Sequence, residues 1–122
     1  MFILTTLLHI AAFGLATVDP QYLGARMMLF FVGIPVLPLH IAVWAAARFL
    51  TLSWTLVTAI LLNTIWAAAG LAWWAFNSRI EQIALEKAVS SALIFIATGL
   101  AASALLIAWV RAMTRRRQAA KR

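Results

Sequence analysis

Four apolar runs, 2–18, 27–47, 51–76 and 88–110, take up most of a chain of 122 residues. A helix that crosses a bilayer needs about 20 mainly apolar residues. The last three runs reach that length comfortably, and the first, FILTTLLHIAAFGLATV, stands at its short limit. The chain is 66% hydrophobic and only 11% charged, whereas soluble domains hold roughly a quarter charged residues. So short a chain leaves too much surface exposed to hide this excess in one watery-surfaced core. The expected fold is all-α: an integral membrane bundle of four transmembrane helices, about 2–18, 20–48, 51–77 and 79–113, in one domain over 1–110. A basic tail, 111–122, follows.

The joints are short. Asp19 is a good N-cap and Pro20 suits a first helical position, so the second helix is expected to start there. RFLTLS, 48–53, leaves room only for a tight helical hairpin. Ser78 and Glu81 match a capping box, S-x-x-E, which places the start of the fourth helix near Arg79. No Lys or Arg precedes the first run, so it reads as a retained helix rather than a secretory signal.

Charge then orients the bundle. Four crossings put both termini on one side, together with the 48–53 joint. That side collects Arg48, Arg111, Arg115, Arg116, Arg117, Lys121 and Arg122. The other holds Arg26, Arg79 and Lys87 against Asp19, Glu81 and Glu86, which cancel, so the formal net charge of +7 sits on the first side. Lys and Arg excess marks the cytoplasmic face, which predicts an inner-membrane protein with both ends cytoplasmic. Trp44, Trp54 and Trp109 fall near that face and Tyr22, Trp73 and Trp74 near the other, as interfacial aromatics do; Trp66 lies between. The tail's six cations also attract anionic headgroups. They lack the interleaved aromatics of a single-strand binder, so no nucleic-acid partner is expected.

The chain has no cysteine and three carboxylates, which removes thiol chemistry and leaves little for acid–base or hard-metal catalysis. No catalytic or metal site is expected. Ionisable groups at membrane depth are the functional candidates, and there are two, His9 and His40. On consecutive antiparallel helices both lie roughly 10 Å below the cytoplasmic boundary at about 1.5 Å per residue, so they can face each other. Such a pair can ligate haem b axially, pass protons, or hold two helices together through hydrogen bonds. Gly33, Ala12 and Ala16 are the small residues that would admit a macrocycle. The third use is the expected one, with no cofactor.

Two packing features complete the reading. Pro35 and Pro38 each lack an N–H and predict a kinked or locally unwound second helix. Ala59, Asn63, Ala67 and Gly70 share one face of the third helix, and Gly99 and Ser103, beside Thr98, form a small-xxx-small pair on the fourth. Asn63 and Thr98 should be level, with Asn63 donating across; the same face could serve a homo-oligomer. The function expected is a small non-enzymatic membrane protein acting through intramembrane contacts, as accessory subunit or partner of another membrane protein. The rivals are a haem-binding anchor subunit using His9 and His40, and an oligomeric small-solute transporter or channel.

Overall fold

The computed structural model describes the backbone of residues 1–16, 23–81 and 85–122, and the side chains of 1–16, 36–73, 75–76, 86 and 88–122. Among them are four helices and no strand: α1 (Phe2–Ala16), α2 (Leu23–Phe49), α3 (Leu52–Glu81) and α4 (Leu85–Ala120). The expected Asp19 and Pro20 cap lies outside the described residues, as do the side chains of Tyr22, Arg26, Gly33, Pro35, Trp74, Arg79 and Lys87.

The chain runs up, down, up and down. α2 touches all three other helices and α4 does the same, while α1 and α3 make no contact among the described residues. The bundle is therefore a rhombus, with α2 and α4 across its short diagonal. Leu50 and Thr51 alone turn the chain from α2 into α3. The Thr55 hydroxyl lies 2.8 Å from Thr51 O and 3.0 Å from Ala46 O, so one donor serves carbonyls on both sides of the hairpin, where helix ends leave them orphaned.

Two boundaries depart from expectation. Ser78 and Glu81 do not open α4, because α3 runs through both and α4 is described from Leu85 onward. No glycine or proline lies between Leu71 and Ala97, so backbone chemistry supplies no reason to break the helix at the capping-box match. At the other end α4 continues to Ala120 instead of stopping near 113. Arg, Gln and Ala are good helix formers, and cations are favoured in a last helical turn. The tail is thus the end of a helix. α2 also remains helical through Pro35 and Pro38, so the local unwinding expected there does not occur.

Among the described residues, two helices are long and apolar enough to cross a membrane, α3 over Leu52–Trp73 and α4 over Ala88–Ala120. α1, with 15 residues, spans only about 22 Å at 1.5 Å per residue. Polarity is inverted relative to a soluble bundle. Leu7, Leu61, Leu93 and Leu105 are 58%, 54%, 60% and 61% exposed, while His9, His40, Asn63 and Ser103 are at most 1% exposed.

The core has three tiers. Toward the chain termini, Leu39, Val43, Ala47, Ala59, Leu106, Ile107 and Val110 form an apolar cluster. Toward the other end, Phe13, Val36, Ala67, Ala92 and Phe95 form a second. Trp66 packs against both. Between them lies a polar tier drawn from all four helices.

Candidate functional site

The polar tier is built around Gly99. His9 comes from α1, His40 from α2, Asn63 from α3, and Gly99 and Ser103 from α4. His9 and His40 meet directly, His9 Nδ1 lying 3.2 Å from His40 Nε2 with the rings nearly perpendicular at 89°. The facing inferred from depth is what the structure contains. His9 Nε2 lies 3.1 Å from the backbone oxygen of Phe95, and its ring sits against the Phe95 ring with centroids 4.5 Å apart.

For a neutral pair, a single proton arrangement satisfies both contacts. A carbonyl oxygen only accepts, so His9 Nε2–H donates to Phe95 O. His9 Nδ1 is then an acceptor, and His40 Nε2–H donates to it. His40 Nδ1 is left with a bare lone pair, and it has no hydrogen-bond partner among the described residues.

Gly99 explains how an imidazole reaches a helix carbonyl. The oxygen of Phe95 points toward the residue four positions on, which is Gly99. A Cβ there would lie 2.8 Å from His9 Cε1 and collide with Asn63 Oδ1. Its absence opens the approach for His9 and for the Asn63 amide together. Sequence reasoning placed Gly99 in a helix-packing pair and missed this second use. The readable signal was a glycine one turn after a carbonyl, on a helix facing a buried histidine.

Asn63 donates through Nδ2 to Ala59 O at 2.8 Å and to Ser103 Oγ at 3.3 Å. The cross-helix partner is therefore Ser103 and not Thr98, whose hydroxyl folds back onto Ile94 O and Phe95 O of its own helix. Asn63 Oδ1 is the second buried polar atom without a hydrogen-bond partner among the described residues. Gly70 is buried on the same side of α3. The small-residue faces of α3 and α4 are thus used within one chain.

This geometry does not suit haem. Two axial imidazoles must point lone pairs at one iron from opposite sides of a macrocycle. Here the nitrogens bond each other at 3.2 Å and His9 Nε2 is committed to Phe95 O, so both contacts would have to break. The arrangement can hold three helices together and accept a proton or a donor at His40 Nδ1.

The remaining site residues cluster at the end where the chain terminates. Arg111 is half-buried, while Arg115, Arg116, Arg117, Lys121 and Arg122 are exposed along the last turns of α4. A cleft of about 340 Å³ opens there between α2 and α4, lined by Trp44, Arg48, Trp109, Val110, Met113, Thr114 and Arg117. Compared with family models, curated proteins and solved structures, the chain matches none of them.

Proposed function

We propose that this chain is a small non-enzymatic protein of a cell inner membrane. It crosses four times with both termini cytoplasmic and acts through contacts that its helices make with other protein inside the bilayer. The inverted polarity supports the lipid setting: a polar tier sealed inside and large apolar side chains outside. The charge distribution supports the orientation, since the net +7 gathers at the end that carries both termini.

The observation that carries the interaction reading is on the outer face of α4. Ala97, Ala101, Ala104 and Ala108 are exposed and follow one another at helical spacing, with exposed Leu93 and Leu105 alongside. Small side chains let two membrane helices approach closely. Gly99 and Ser103 are buried within the chain, whereas these residues are exposed. The partner is another membrane protein or a second copy.

Co-purification in mild detergent after crosslinking in native membranes tests this. The wild-type chain should carry a partner or dimerise, and Ala101→Phe together with Ala104→Phe should release it without loss of helix content. A wild-type chain that stays monomeric and alone in every mild detergent counts against the reading. A reporter fused after Arg122 should be active on the cytoplasmic side, and activity only outside would reverse the orientation.

A further inference from the structure

The cleft at the cytoplasmic end joins an apolar, aromatic lining to two arginines. α4 outruns α2 here. α2 stops at Phe49, level with the Val110 turn that packs against Ala47, and α4 continues past it to Ala120. The step leaves an open-sided hollow. Trp44 and Arg48 stand one turn apart on α2; Trp109, Met113 and Arg117 stand one turn apart along α4.

Its chemistry divides by burial. Val110 is buried and Met113 and Trp44 are half-buried, Trp109 adds a second indole, and Trp44 meets Phe2 edge-on with ring centroids 6.3 Å apart. The mouth carries two guanidiniums, Arg48 and Arg117. Among the described residues no carboxylate side chain is near to neutralise them. The chain's acids are Asp19, Glu81 and Glu86, and Glu86 lies about 46 Å from Arg117 along α4 at 1.5 Å per residue. Two unneutralised arginines over an apolar, aromatic-walled hollow call for an anion attached to a hydrocarbon. The volume, about 340 Å³, is at the small end of ligand sites and suits a headgroup with the start of its chains.

We propose that this cleft binds an anionic phospholipid, its phosphodiester held between Arg48 and Arg117 and its upper acyl segments laid against Trp44, Trp109 and Met113. Guanidinium forks match phosphate oxygens in pairs, and tryptophan prefers the level where headgroup meets chain. This rests on the membrane reading above and goes beyond diffuse attraction of the tail to a charged leaflet, because it names a shaped site.

The test uses the full chain in mixed micelles with equal phosphatidylglycerol and phosphatidylcholine, read by native mass spectrometry. Wild type should retain phosphatidylglycerol over phosphatidylcholine, by about fivefold for each cleft arginine. Arg48→Gln with Arg117→Gln should lower the preference to what the remaining tail cations supply. Met113→Trp, which fills the hollow and changes no charge, should remove the cleft's share as well. A Met113→Trp chain that keeps the full preference would show that tail charge alone selects the lipid and would overturn the proposal. Displacement of the lipid by equimolar inorganic phosphate would overturn it too, by marking a site for a soluble anion. A chain that sediments with membranes yet shows no preference sinks the cleft alone. A chain that stays in the supernatant without detergent sinks the membrane reading beneath it.

Discussion

The middle of the bundle and its basic end place polar groups under opposite conditions. In the middle, His9, His40, Asn63 and Ser103 are sealed from solvent, and their geometry is set by one another, by Phe95 O and by the missing side chain of Gly99. At the end, Arg48 and Arg117 stand exposed over a cleft and are held by nothing of comparable strength; the Arg48 guanidinium lies 5.9 Å from the Phe49 ring centroid. A buried polar group in hydrocarbon must find its partner inside the protein, so the middle tier fixes structure. On the proposed placement in a bilayer, an exposed cation at the headgroup level has water and lipid for partners, which leaves the end tier free to recognise.

This contrast predicts that changes in the middle are read as stability and changes at the end as binding. Gly99→Val should have the largest effect. Its branched side chain drives into Asn63 and His9, and destabilisation of about 3 kcal/mol is expected from overpacking. Reversible unfolding in mixed detergent micelles measures it; an unchanged midpoint would mean the tier is looser than described.

His9→Leu comes next. It strips the His40 and Phe95 contacts together and should cost about 2 kcal/mol by leaving buried partners unmet. Combining it with His40→Leu should recover part of that loss, with a coupling of about 1 kcal/mol between the two sites. Strict additivity would show that the two rings are neighbours without being bonded.

A smaller effect, about 0.6 kcal/mol, is expected for Ser103→Ala, typical of a membrane hydrogen bond, because Asn63 keeps its shorter bond to Ala59 O. Smallest is Arg48→Gln with Arg117→Gln, which should change the unfolding midpoint by no more than about 0.5 kcal/mol even as most of the lipid preference is lost. A large loss of stability there would erase the distinction between the two tiers.

Much of the middle tier was legible before any coordinates. Matching depth on antiparallel neighbours brought His9 and His40 together, since a helix advances by a constant rise and short loops keep neighbours in register. The same reasoning had Asn63 donating across to α4, as it does, but did not name the acceptor, Ser103. Rise gives height, but the choice between Thr98 and Ser103 depends on which way each faces around α4, and Thr98 can satisfy itself on its own helix. The cleft was invisible for a related reason. Arg48 and Arg117 are separated by almost seventy residues, about the length of two helices and their joint, and only the step between α2 and α4 brings them to one mouth.

Composition and periodicity by themselves determined that this chain is helical, apolar outside and basic at the end bearing its termini, because those properties depend on counts along the chain and on short-range backbone preference. The tertiary structure alone decided that α3 runs through the capping-box match, that the basic tail is a continuation of α4, which carbonyl receives His9, and that Gly99 is needed empty. Each of those depends on rotation about a helix axis or on how far one helix outlasts its neighbour. A linear pattern leaves both quantities open until the helices pack.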